Sequence, residues 1–228
     1  MVFGGATSLT ADAPTLHRTV ARTRVSPFRA VLRFVASVMM VSGVLLIADA
    51  AVTLLWQEPL SGVIAKRQQV KLKEALRDPP RRVILRQPLP GDAIGRIEVP
   101  SIDVSDYVVE GTDLGNLRKG PGHYPSTPLP GEHGTSAIAG HRTTYGAPFR
   151  NIDQLKSGQR IVVDMPQRRY VYRVERSEVV DDSDLSVLDR VDHDRLVLTA
   201  CHPLYSAAQR IVVFARLAAE GRSRVTRS

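Results

Sequence analysis

A chain of 228 residues with 43% hydrophobic and 5% aromatic side chains is long enough for one ordinary domain plus appendages. Its formal charge of +8 lies in the flanks: residues 1–33 carry five Arg and one Asp, residues 66–90 eight Lys/Arg and two acids, and residues 91–217 15 basic and 17 acidic groups. A nucleic-acid-binding domain carries its basic footprint on the fold itself, so no nucleic-acid partner is expected. Basic flanks around an apolar segment fit an anionic lipid surface instead.

Residues 1–33 mix small residues, Pro and scattered Arg without a sustained period, and are read as a largely disordered tail. Phe34 to Trp56 follows with 23 residues and one charge, Asp49, which is long enough for a transmembrane helix. A carboxylate in such a helix costs about 2.5–3.5 kcal/mol, which the remaining apolar residues offset. Ala48-Asp49-Ala50 resembles a signal-peptide cleavage site, but the apolar run continues through Val52, Leu54, Leu55 and Trp56. That continuation favours an uncleaved signal anchor. Lys66, Arg67, Lys71 and Lys73 nearly balance the basic residues before the segment, so charge leaves its orientation open.

Residues 57–90 read as a basic linker, with a short charged helix over 66–78 ended by Pro79-Pro80 and then a semi-extended spacer. From Gly91 to Leu217 the pattern is mostly that of strands. Short runs at 95–100, 105–109, 136–140, 160–165, 169–175, 195–201 and 210–217 are divided by Gly/Pro turns, among them 120–122 and 128–134. Brief helices are expected at 113–118, 148–155 and 184–188. Many short strands with turn punctuation predict an all-β domain with short helices, closed as a barrel. Residues 218–228 read as a polar tail.

Cys201 is the only cysteine, so the chain forms no internal disulfide. It ends the strand-like run LVLTAC just before His202-Pro203, where proline interrupts the ladder and turns the chain outward. Alternation puts Val197, Thr199 and Cys201 on one face and Leu196, Leu198 and Ala200 on the other. A nucleophilic thiol needs a proton acceptor and a donor for the developing oxyanion. His141 follows the small-residue run 136–140, and Arg210 opens the last strand nine residues after Cys201. Taken singly, each is more often structural. His123, His133, His193 and His202 show no metal-ligand spacing, so neither a metal nor a cofactor is expected.

The segments AGHRTTYGAPFRNID (139–153), LTACHPLYSAAQRIVV (198–213) and EGTDLGNLRKGPGHYP (110–125) resemble the signature regions of sortases, especially those called class E. The resemblance runs over about residues 92–217. It implies an eight-stranded sortase barrel, with Cys201 as nucleophile, His141 as general acid and Arg210 at the oxyanion or the substrate backbone. It further implies Thr199 and Ala200 as substrate-binding residues, while Tyr124, before Pro125 in a Gly-rich stretch, is expected either to line the signal groove or to serve packing. The activity implied is cleavage of an LAxTG- or LPxTG-like sorting signal between Thr and Gly through a thioester. Partners would be sorting-signal-bearing secreted proteins and a peptidoglycan-precursor amine. The tail would then be cytoplasmic, and the catalytic domain would lie outside the cell membrane on its single anchor.

One departure stands out. The family pattern TLxTC aligns with Val197, Leu198, Thr199, Ala200 and Cys201, so Ala200 replaces the hydroxyl directly before the nucleophile. Rival readings are a cysteine peptidase, an L,D-transpeptidase and a catalytically silent wall-binding module. Papain-like order puts Cys before His, the Ser-His-Gly-Cys run of L,D-transpeptidases is absent, and retention of His141, Cys201 and Arg210 together argues against a silent module.

Overall fold

The computed structural model describes residues 27–55 and 59–225. The chain divides into two compact units, one ending at Ala48 and the other running from Asp49. Helix α1 spans Pro27–Leu55. Its start precedes the expected Phe34 by two turns, because Val31, Leu32 and the good helix former Ala30 extend the pattern back to Pro27, whose fixed φ suits a first helical turn. At 1.5 Å per residue its 29 residues reach about 43 Å, more than a hydrocarbon core of about 30 Å. The stretch Pro27–Val52 is apolar enough to cross a membrane, with a mean hydropathy of 2.3. Trp56 and the tail before Pro27 lie outside the described residues.

Among the described residues, eight strands close into the expected barrel in the order β1-β2-β3-β4-β7-β8-β6-β5. They are β1 (Ala93–Val99), β2 (Val104–Glu110), β3 (Gly122–His123), β4 (Thr135–Ala139), β5 (Arg160–Asp164), β6 (Arg168–Asp181), β7 (Arg195–His202) and β8 (Gln209–Arg222). Two contacts, β2 with β3 and β4 with β7, are parallel. The expected short helices are present as α4 (Leu114–Leu117), capped by the Asp113 carboxylate, and as single 3₁₀ turns at Ile152–Gln154 and Ser186–Leu188.

Alternation decides which side chains fill the barrel. Leu196, Leu198 and Ala200 of β7 and Ile211, Val213 and Ala215 of β8 join the main interior cluster. Val197, Val212 and Phe214 point the other way, under Val187 and the partly buried Tyr124, Val180 and Leu188. Thr199, Cys201 and Arg210 share the parity of this second face.

The linker reading needs correction. Helix α2 runs from Pro59 to Arg77, starting seven residues before the expected Lys66. Leu72 and Leu76 seat it against Ala93 and Val109, each fully buried leucine contributing about 1.5–3 kcal/mol. Gln69 explains why the helix stays there. Its carboxamide accepts from the Tyr107 N–H at 2.6 Å and donates to the Tyr107 and Lys119 carbonyls at 2.9 and 2.8 Å. It stands in for a neighbouring strand where β2 lacks one, since β3 pairs with β2 only at Val109 and Glu110.

The expected spacer is likewise tied down, through α3 (Arg81–Ile84), the buried Val83 and Arg86, which bonds Glu132 and the Pro130 carbonyl. At the other end, β8 runs on to Arg222 because β6 pairs with it as far as Arg168↔Arg222, so 218–222 belong to the sheet rather than to a polar tail.

Candidate active site

Cys201 and Arg210 are register partners in the antiparallel β7–β8 pair. Directly opposed residues of such a pair share a face with Cβ atoms about 4.5–5.5 Å apart. The hairpin from His202 to Gln209 therefore sets Arg210 across the ladder from the half-buried Cys201. Arg210 Nη1 donates to the Ala207 and Gln209 carbonyls at 2.8 and 2.9 Å, which pins the hairpin and leaves Nε and Nη2 for other partners.

His141 reaches the same edge from the other side of β7. Strands β4 and β7 run parallel with Ala139 opposite Thr199, so His141 and Cys201 each lie two residues further along. Gly140 still donates to the Thr199 carbonyl at 3.0 Å, and beyond it the chain leaves the ladder. A Cβ at Gly140 would stand 2.4 Å from the buried Phe149 ring, so only glycine lets the chain turn off so close to the core. Phe149 in turn donates its N–H to the His141 carbonyl at 3.0 Å.

The imidazole packs at 5.3 Å between centroids against Tyr145, whose other neighbour is Arg118, 5.6 Å from the tyrosine ring. Ser61 of α2 accepts the Tyr145 N–H at 3.1 Å, so that helix also supports the histidine loop. His141 Nε2 is shielded from solvent and has no hydrogen-bond partner among the described residues. An unpaired buried ring nitrogen costs free energy, which sets His141 apart from the fully bonded His123.

Burial pushes the His141 imidazole below its ordinary value, and the Arg118 charge pushes it the same way. Both effects disfavour the charged imidazolium form. The unfolded chain binds this proton more readily, so stability from this group is lost as pH falls below the ordinary histidine value of about 6.5. Arg118→Gln should raise the His141 pKa, read from its ring-proton NMR titration, and the rise should shrink in high salt because Arg118 is exposed.

Beside the thiol a cleft of about 300 Å³ is lined by Cys201, Arg142, Thr143, Tyr205 and Ser206. A small cavity of about 40 Å³ on the neighbouring side is bordered by Arg210, Thr199, Tyr124 and Asp184. There the Tyr124 and Thr199 hydroxyls bond at 3.0 Å. The structure thus brings Tyr124 and Thr199 beside Arg210.

It does not bring Ala200, whose side chain joins the main interior cluster and so faces away from the side that holds Thr199 and Arg210. The expected substrate contact is corrected by strand parity. Ala200→Thr adds a hydroxyl and a methyl to a filled core and should lower stability by about 1–3 kcal/mol in a denaturant melt, without a gain in turnover.

The sequence reading missed Arg142. Next to His141 yet 2% exposed, it pairs with Asp153 at 2.9 Å and reaches the Cys201 carbonyl and His202 Nδ1 at 3.4 and 3.3 Å. A charge directly after the histidine was a visible signal, but its partners lie far along the chain. His123 is accounted for by the fold: Nδ1 meets Glu110 at 2.8 Å and Nε2 meets the Pro128 carbonyl at 3.0 Å.

Residues 97–218 match the sortase domain family. Sortase D of Bacillus subtilis is 31% identical over 134 residues, covering 57% of this chain and 66% of its own. Sortase SrtE1 of Streptomyces coelicolor is 31% identical over 147 residues, covering 58% of this chain and 42% of its own. The chain thus spans just under two thirds of one relative and less than half of the other. The solved structure of a sortase D5 transpeptidase from Clostridium perfringens superposes with a TM-score of 0.60 at 28% identity, covering 69% of this chain and 99% of that one. With the family match running over more than half of the residues and a solved relative superposing across the barrel, the chain belongs to the sortase family.

Proposed function

We propose that this protein is a membrane-anchored cysteine transpeptidase that cleaves an LAxTG- or LPxTG-like sorting signal between Thr and Gly and joins the new Thr carboxyl end to an amine. The observation that carries the reading is the convergence of Cys201, its register partner Arg210 and the unpartnered Nε2 of His141 at one end of β4, β7 and β8.

The chemistry follows from those three groups. The Cys201 proton passes to His141, and the sulfur attacks the Thr carbonyl carbon. Arg210 donates hydrogen bonds to the oxygen as it gains charge, where a preorganised donor contributes most. His141 returns the proton to the glycine nitrogen, the C–N bond breaks and a thioester remains. An incoming amine then attacks the thioester, loses a proton to His141 and leaves with the acyl group, while the thiol is restored. Tyr124 and Thr199 line the groove for the signal. Burial and the Arg118 charge disfavour the imidazolium form of His141 before the reaction begins.

The acceptor is an amine of a cell-wall precursor. Helix α1 anchors the chain, with residues before it in the cytoplasm and the barrel outside. Its length and hydropathy support a span, and the sortase membership supports the orientation. Incubating the full chain with a sorting-signal peptide and an amine-bearing wall peptide tests the activity. A joined product is expected. Free acid as the sole product at saturating amine would make the protein a peptidase, and an untouched peptide would refute the reading.

A further inference from the structure

We propose that Arg142 is a positioning residue that locks the histidine loop onto the nucleophile strand at the point where the sheet ends. The proposal rests on the site as read above and concerns a residue to which that chemistry gives no role.

The register shows what Arg142 replaces. In the parallel β4–β7 ladder the Gly140 N–H donates to the Thr199 carbonyl. Two residues further, the same ladder would bring the backbone N–H of residue 142 to the carbonyl of residue 201. The backbone has already turned away to carry His141 off the sheet, and the Arg142 side chain takes the vacated place, with Nη1 3.4 Å from the Cys201 carbonyl. The nucleophile's own peptide group is therefore held by the residue adjoining the general acid.

The rest of the guanidinium fixes where that bond points. Nε and Nη2 donate to the Arg150 carbonyl at 3.3 and 3.1 Å, and Nη2 pairs with Asp153 at 2.9 Å. Nη1 also meets His202 Nδ1 at 3.3 Å, which makes that nitrogen an acceptor and places the His202 proton on Nε2. A planar fork is needed to satisfy these diverging partners at once, and a lysine ammonium offers no such geometry. The 2% exposure keeps water from substituting for any of them.

Displacing a catalytic group by about 1 Å costs on the order of 100-fold in rate, because the reacting atoms lose their approach geometry. Arg142→Gln and Arg142→Lys, made in the full chain, should therefore each lower kcat for signal-peptide transfer by about 100-fold with KM changed by less than about threefold. A second reading is independent of any substrate: the rate of Cys201 alkylation by iodoacetamide as a function of pH. In the parent protein this profile should change on His141→Ala, because His141 is the base that takes the thiol proton. In Arg142→Lys the profile should already resemble that of His141→Ala, and adding His141→Ala should change it no further.

Parental kcat and a parental alkylation profile in a folded Arg142→Lys would overturn the proposal. So would loss of fold in both variants, shown by circular dichroism, since Arg142 would then be a folding residue. If the parent protein transfers no peptide, the reading of function fails by itself, and the alkylation profiles still decide the role of Arg142.

Discussion

Cys201→Ala should reduce signal-peptide cleavage and transfer to background, a loss on the order of 10⁶-fold if it behaves as deletion of a nucleophile does elsewhere. The fold should survive. Cys201 is half-buried at the end of β7, outside the main interior cluster, so removing its sulfur should change stability by less than about 1 kcal/mol. As Cys201 is the only cysteine, no second thiol can supply residual turnover. Activity above background in a purified, folded Cys201→Ala protein would remove the nucleophile from the account.

His141→Ala and Arg210→Ala should give the next largest losses, for different physical reasons. Without His141 the leaving nitrogen has no positioned proton donor, a deficit of about 10²–10⁴ in kcat. Without Arg210 the carbonyl oxygen loses its charged donor, a deficit of about 10²–10³. Both act on charge that develops in the transition state, so KM should move far less than kcat in steady-state assays. Arg210→Lys should recover little. The arginine already spends Nη1 on the Ala207 and Gln209 carbonyls and offers Nε and Nη2 beyond them. A single ammonium cannot hold the hairpin and meet the substrate in the same geometry. Full recovery by lysine would show that Arg210 supplies charge alone.

Much of this arrangement was readable from local pattern. Alternation in LVLTAC separates Cys201 from Ala200, and the short return to Arg210 makes a hairpin the simplest connection. What escaped reading was set by distant partners. Helix α2 is held by Leu72, Leu76 and Gln69, and the value of Gln69 is visible only once β2 is known to lack a neighbour at Tyr107. Its first turns, 59–65, resemble the end of an apolar segment as much as the start of a helix. Strand β3 has two residues, too few for any periodicity to show. Arg142 has no local sign of its role, because that role arises where β4 leaves β7, an event written in the pairing of strands about 60 positions apart.

The proposed chemistry passes through a thioester on Cys201. Mixing the full chain with excess sorting-signal peptide in the absence of an amine, quenching in acid within the first turnover and weighing the intact protein tests it most directly. A mass increase equal to the peptide through its Thr carbonyl is expected, located on Cys201, released by hydroxylamine and absent from Cys201→Ala. Peptide cleavage with no adduct, or an adduct on another residue, would contradict it.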